Sequence, residues 1–322
     1  MAESYEKSWS DYWRDAGADA QAITGAEPGG ALARYWRDFF LDEFGRRDAA
    51  RVVDLASGAG VAAREAVAAA SETGCATAVI CSDISQDALA QAARSFPGPG
   101  VGYVVADAGR APYVAGAFDL VVSQFGIEYA GLDALRAATD LVAPGGAAAF
   151  VAHLADGAIA RECAGNLAVL DALQDAELVA RVETLIDTAF RVDAGRADAS
   201  GLAAAEQAVR DAAGRVSQVM EAQGPGGGAA FAGQLIPAME TLYQRRARYD
   251  RKDIAAWLSH QAGAIEAYAG RMRSMIEAAI DETEMAEIRA AFQCADFSSV
   301  EAEPMALKPE GGPAAWRFLA RR

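Results

Sequence analysis

Three acidic residues frame the chemistry open to this chain of 322 residues. Asp54 lies in a short apolar run, Val52-Val53-Asp54-Leu55, which breaks into the glycine-rich turn Ser57-Gly58-Ala59-Gly60. The alanine-rich segment Val61 to Ala70 then reads as a helix. A strand, a tight turn and a helix in that order cradle a phosphate or nucleotide, because glycines let the backbone approach a ligand closely. An acid at the end of this strand disfavours a pyrophosphate and welcomes a ligand that carries positive charge. Asp83 follows the strand-like run Thr77 to Cys81 and lies 29 residues beyond Asp54. A carboxylate there can accept two hydrogen bonds from a ribose diol. Asp107 comes 24 residues later, after the strand Val101 to Val105. Ligands bind outside the carboxyl ends of strands in open parallel sheets, so all three acids converge on one crevice. The competing reading is that Asp83 and Asp107 only cap the helices that follow them.

The elements that must position these acids are those of a doubly wound α/β sheet. Residues 1 to 48 precede it and are rich in aromatics: Tyr5, Trp9, Tyr12, Trp13, Tyr35, Trp36, Phe39 and Phe40. Glu3 to Asp15 and Leu32 to Phe44 read as amphipathic helices joined by the loop Thr24 to Gly30. Trp36, Phe39 and Phe40 are assigned to the core, and Tyr12 or Trp13 to a roof over the ligand pocket. From Asp156 to about Glu282 the composition turns almost wholly helix-forming. Helices are expected over Ala158 to Leu173, Asp175 to Val192, Gly201 to Ala222 and Gln234 to Arg248, with Pro237 in the first turn of the fourth. A further pair is expected over Lys252 to Tyr268 and Arg271 to Ile280. Gln223 to Gly228 reads as a flexible joint. The tail supplies a helix, Glu284 to Phe292, and two strands, Ser298 to Glu303 and Ala314 to Ala320, joined by the turn Pro309 to Pro313.

Composition narrows the class further. With 29 basic and 45 acidic side chains the formal charge is −16, which opposes broad contact with nucleic acid or an anionic membrane. Cys75, Cys81, Cys163 and Cys294 lack metal-ligand spacing and are read as reduced thiols, with no metal site. The start of the chain lacks the shape of a signal peptide, and no apolar run reaches membrane-spanning length, so a cytoplasmic location is expected. The cluster Arg245 to Lys252 is read as cations that complement a helix C-terminus, or as a grip for an anionic substrate group.

These motifs together resemble the class I S-adenosylmethionine-dependent methyltransferases, over roughly residues 50 to 155 and 283 to 322. Val-Val-Asp-Leu-Ala-Ser-Gly-Ala-Gly resembles the family's first motif, with Ala56 where the family usually carries its first glycine. Asp83-Ile84 matches the acid that grips the ribose, and Asp107-Ala108 the pair that meets the adenine. Phe118 to Gly126 looks like the fourth strand and its active-site motif, which brings in Ser123 and Gln124. Leu141 to Gly146 is similar to the turn before the fifth strand, Ala147 to Ala152. The resemblance implies a Rossmann-like sheet with a large helical insertion before its last two strands. It divides the chain into an N-terminal aromatic cap (1–48), a core (49–155 and 283–322) and the insertion (156–282). It also implies S-adenosylmethionine bound by Asp54, Ala56, Gly58, Gly60, Asp83, Ile84, Asp107, Ala108, Ser123 and Gln124.

Methyl transfer to a hydroxyl or protonated amine of a small molecule requires a general base. Glu128 and Tyr129, after the fourth strand, and His153, after the fifth, are the candidates. His153 is preferred as one of only two histidines, the side-chain type suited to proton transfer near neutral pH, with a structural histidine as the alternative; His260, on an expected insertion helix, is weaker. The insertion either sets the choice of acceptor or forms a homodimer interface. Two other functions are weighed. Gly58 to Ala63 also satisfies Gly-x-Gly-x-x-Ala of NAD-dependent oxidoreductases, but Asp54 opposes the pyrophosphate that this loop would hold. The other is a catalytically silent scaffold that binds a partner.

Overall fold

Val52, Val53 and Leu55 are all buried although their side chains alternate between faces, which marks a strand covered on both sides. That strand, β1 (Ala49–Leu55), is an interior strand, third in the order of a seven-stranded sheet. The computed structural model describes residues 30–98, 100–308 and 312–322. The expected helix Glu3 to Asp15, the aromatics Tyr5, Trp9, Tyr12 and Trp13, and most of the loop after them lie outside these residues, as do positions 309–311 of the expected tail turn.

In chain order the first unit contains α1 (Ala31–Phe44), β1, α2 (Val61–Thr73), β2 (Ala76–Asp83), α3 (Gln86–Ser95) and β3 (Val101–Val105). There follow β4 (Phe118–Gln124), α4 (Leu132–Leu141) and β5 (Val142–His153). After the helical segment come α10 (Glu282–Cys294), β6 (Ser299–Met305) and β7 (Ala315–Arg321). The sheet order is β3-β2-β1-β4-β5-β7-β6. Strands β1 to β5 are parallel, and β7 runs antiparallel between β5 and β6. The order reverses between β1 and β4, which opens a crevice at their carboxyl ends.

Each face has its own core. On one, Trp36, Phe40 and Phe44 of α1 pack with Ala63 and Ala66 of α2 over Val52, Leu120, Val122 and Ala149. The aromatics recur at spacings of three and four, so they form one stripe along α1. Their rings touch in sequence, Trp36–Phe40 at 5.8 Å and Phe40–Phe44 at 5.5 Å. On the other face Phe150, Phe292 and Phe318 interlock with Val53, Val121 and Leu135.

One of the expected boundaries in this unit changes. The segment Val142 to Gly146 is not a turn before β5 but a bulge within it, with a register shift between Phe118 and Leu120 of the neighbouring strand. Gly145 adopts φ +75°, and a Cβ on Gly146 would stand 2.5 Å from the Asp119 carbonyl oxygen. The glycines thus allow a strand to continue where sequence reading placed a break.

The described chain divides into two compact units, 1–160 with 278–322 and 161–277. The second is all helix: most of α5 (Ala158–Asp175), then α6 (Leu178–Asp193), α7 (Ala199–Gln223), α8 (Gly227–Gln244) and nearly all of α9 (Arg251–Ala278). The expected joint at Gln223 to Gly228 is a tight turn, fastened where the Gly228 N–H donates to the buried Asn166 Oδ1 at 2.8 Å. Pro237 lies inside α8 rather than in its first turn. The carbonyl that loses its helical donor belongs to Gly233, four residues earlier. The expected pair of helices after Lys252 is a single helix, α9. Its buried Ile265, Ala269, Met272 and Met275 keep one apolar stripe running past Gly270. Among the described residues no helix is long and apolar enough to cross a membrane.

Candidate functional site

The loop after β1 is built from left-handed backbone. Ala56, Gly58 and Gly60 have φ of +50°, +52° and +74°. Glycine tolerates this at no cost, whereas alanine is penalised by about 1–2 kcal/mol. The loop is fastened from below: the Ser57 N–H donates to the Ser82 carbonyl at 3.0 Å, and the Gly60 N–H to the Ser57 carbonyl at 2.8 Å. Phe96 lies over Gly60, where a Cβ would come within 2.5 Å of its ring.

Asp54 and Asp83 flank this loop, both buried. One oxygen of Asp54 accepts the Ala63 N–H at 3.1 Å, inside the first turn of α2. Its other oxygen, Oδ1, is buried with no partner among the described residues, and so is the Ser57 hydroxyl. Burial pushes the Asp54 pKa up to about 8, against the Ala63 hydrogen bond that lowers it. Asp83 is the clasp of the loop. Its Oδ2 accepts the Gly58 N–H and its Oδ1 the Ser85 N–H, each at 2.7 Å. Burial raises its pKa too, and these two bonds oppose the rise. Asp83 thus has a structural role that the sequence did not show, and each of its oxygens keeps one lone pair. Ile84 follows in a half-buried bend. Asp107 is exposed and its Oδ1 accepts the Gly109 N–H at 2.8 Å, capping the 3-10 turn Ala108–Arg110. That is the capping geometry weighed against a ligand contact.

The far side of the crevice is the end of β4. Ser123, expected to touch the cofactor, is fully buried and used within the fold. Its hydroxyl donates to the Leu55 carbonyl at 2.6 Å and accepts the Ile127 N–H at 3.1 Å, tying β1 to the turn after β4. Gln124 is half-buried and accepts the indole N–H of Trp36 at 2.6 Å. Phe125 takes φ +51°, and Gly126 closes against Ala56, whose carbonyl oxygen would lie 2.5 Å from a Cβ there. The methyl of Ala56 is accommodated because residue 126 has no side chain.

The three proton-handling candidates stand together. Glu128 and Tyr129 lie on the 3-10 turn Ile127–Ala130, and His153 ends β5. Glu128 Oε1 accepts the His153 backbone N–H at 3.0 Å and sits 2.8 Å from its Nδ1. A carboxylate only accepts, so the geometry suits a proton on Nδ1; in a neutral imidazole of that tautomer Nε2 is the acceptor. The Phe125 ring lies 4.5 Å from the imidazole centroid and that of Tyr129 5.8 Å from it. Glu128 is therefore placed as the partner of His153 rather than as its rival. Glu128 Oε2 is buried without a partner among the described residues.

Residues 52–146 match the family model described as a methyltransferase domain. Those residues span β1 to the bulge of β5, the stretch that carries the loop, Asp83, Asp107 and the β4 motif. This stretch of the core is similar to a methyltransferase domain, and the sheet order is that of the doubly wound fold expected from the sequence. Over 96 residues the chain is 32% identical to a demethylmenaquinone methyltransferase of Beutenbergia cavernae, covering 30% of this chain and 37% of that one. The chain thus spans well under half the length of this curated relative. An S-adenosylmethionine-dependent methyltransferase from Mesorhizobium loti overlaps 33% of this chain and 47% of its own, at 28% identity and a TM-score of 0.29. A possible exported protein from Bordetella parapertussis overlaps 90% of this chain and 67% of its own, at 13% identity and a TM-score of 0.44.

Within the matched stretch the residues fit the expected cofactor. A sulfonium and an ammonium suit the unpartnered Asp54 Oδ1, and the glycine backbone leaves room for close approach. Sequence reasoning missed Trp36 as a partner of Gln124, because 88 residues separate them. It also missed Phe96 over the loop. In the helical unit the basic cluster is partly neutralised. Arg246 pairs with Asp193 at 2.9 Å and Arg251 pairs with Asp187. Each also lies 5.1 Å from an aromatic centroid, of Tyr243 and Phe190 respectively. His260 is exposed on α9, in the helical unit, 3.3 Å from the Gln261 amide.

Proposed function

We propose that this protein transfers a methyl group from S-adenosylmethionine to an oxygen or nitrogen of a small-molecule acceptor. The observation that carries the reading is a buried carboxyl with a free oxygen, Asp54, beside a loop of three left-handed residues. A cationic ligand satisfies that oxygen; a pyrophosphate would be repelled by it, which disfavours a nicotinamide dinucleotide. The bound cofactor supplies an already activated methyl group, so what the protein adds is alignment, a contribution of about 7–11 kcal/mol to lowering the barrier.

Asp54 holds the positive end, Asp83 keeps the loop in shape and offers its remaining lone pairs to the ribose, and Asp107 with Ala108 and Ile84 borders the adenine. His153 takes the acceptor's proton on Nε2, and Glu128 holds the imidazole in the tautomer that can do so. Tyr129 and Phe125 pack against the ring. The helical insertion, 156–282, sets which acceptor is used, and the enzyme works in the cytoplasm.

Calorimetry with S-adenosylhomocysteine and with NAD tests the cofactor: binding of the first and not the second is expected. Binding of NAD alone would overturn the reading. For the base, His153→Ala should lower kcat by about 10²–10⁴-fold with cofactor affinity unchanged. Near-normal turnover in that variant would leave His153 a structural residue.

A further inference from the structure

The indole nitrogen of Trp36 can only donate a hydrogen bond. At 2.6 Å from Gln124 Oε1 it therefore fixes which way the amide faces. The carbonyl oxygen is turned to the indole, and the NH2 group is turned away from it. Trp36 is itself immobile: it is fully buried, and the rings of Tyr35, Phe39 and Phe40 lie at 4.9, 6.0 and 5.8 Å from it. Gln124 ends β4, two residues beyond Val122, which pairs with Asp54 of β1 where the strand order reverses. Among the described residues no protein acceptor is found for its NH2.

From this we infer that Trp36 is a positioning residue that makes Gln124 a two-donor clamp for the carboxylate at the amino-acid end of the cofactor. The inference rests on the proposed cofactor. Asp54 and Gln124 then divide the recognition of a zwitterion. The acid takes the positively charged part, and the amide, held in a single orientation, takes the negative part. An amide free to flip would offer an acceptor to the same carboxylate half of the time and would discriminate poorly.

The test compares two ligands, S-adenosylhomocysteine and its decarboxylated analogue, which keeps the ammonium and loses only the carboxylate. The wild-type chain should prefer S-adenosylhomocysteine. Trp36→Phe keeps the aromatic packing but removes the donor. It should weaken S-adenosylhomocysteine binding about tenfold and leave the decarboxylated analogue within about twofold, the loss expected when one hydrogen bond to a charged ligand becomes unreliable. Gln124→Glu turns an acceptor toward the ligand and should reverse the preference. Gln124→Leu should abolish it, and adding Trp36→Phe to Gln124→Leu should then change nothing further. A purely structural role for Trp36 would weaken both ligands equally, and that result overturns the inference. Failure of the wild-type chain to bind S-adenosylhomocysteine at all would instead overturn the cofactor assignment. Circular dichroism on each variant separates loss of fold from loss of discrimination.

Discussion

Asp54 makes folding and binding pull against each other. Its pKa is raised to about 8 in the folded chain from 3.8 in the unfolded one. Between those values the folded chain keeps a proton that the unfolded chain has released. Stability must therefore fall as pH rises through that window, by up to about 1.4 kcal/mol per pH unit from this group. Asp54→Asn removes the titration, so thermal melts from pH 5 to 9 should show the variant gaining on the wild type as pH rises. A cationic cofactor favours the ionised form, so binding should release a proton below pH 8. Calorimetry in two buffers of different ionisation enthalpy would show it, and equal apparent heats would contradict it. The residue scale is also where sequence reading went furthest. Asp54, Gly58, Gly60 and Asp83 were legible because strand–turn–helix spacing is a local signal. The second duty of Asp83, clasping Gly58, was not, since it depends on how β2 sits beside β1. Nor was the internal use of Ser123, whose partners Leu55 and Ile127 belong to a neighbouring strand and the turn beyond its own.

Among the elements, glycine has opposite meanings in β5 and α9. In the β5 bulge Gly146 faces a carbonyl oxygen at a distance no Cβ tolerates, 2.5 Å. Gly146→Ala should destabilise the sheet by about 1–3 kcal/mol, read as a lower urea midpoint. In α9 a Cβ on Gly263 meets nothing within 4 Å. Gly263→Ala there should stabilise by about 0.5–1 kcal/mol through reduced backbone entropy, with S-adenosylhomocysteine affinity unchanged. The same contrast explains the two misread boundaries. Pro-Gly-Gly at 144–146 reads locally as a stop, yet the pairing of β5 with β4 and β7 continues the strand. Gly270 interrupts the helical propensity of α9, yet burial of Ile265, Ala269, Met272 and Met275 carries the helix through. In both cases tertiary packing overrides a weak local preference. The α1 stripe was legible for the converse reason: its periodicity and its burial agree.

For the whole molecule, charge and connectivity dominate. A formal charge of −16 repels itself most at low ionic strength. Raising salt from about 10 mM to about 300 mM should increase the melting temperature; a flat or falling response would show that local ion pairs, such as Arg321 and Arg47 with the buried Glu43, outweigh the global term. Residues 161–277 form a compact unit of their own, so replacing them by a flexible linker should preserve S-adenosylhomocysteine binding while removing methyl transfer. Loss of binding in a folded product would show that the first unit is incomplete alone.

The antiparallel strand β7 has a consequence for biosynthesis. It pairs residue for residue with β5, from Ala147 with Arg321 to His153 with Ala315, across about 160 residues of intervening chain. At ribosomal speeds of about 5–20 residues per second, β5 waits on the order of ten seconds for its partner. During that interval Ala147 to Ala152 present an unsatisfied, wholly apolar edge, the kind that recruits other nascent chains. The helical unit is made in this same interval and delays closure by its own length. Nascent chains arrested before residue 315 should accordingly bind chaperones or aggregate, and release of β7 should rescue them.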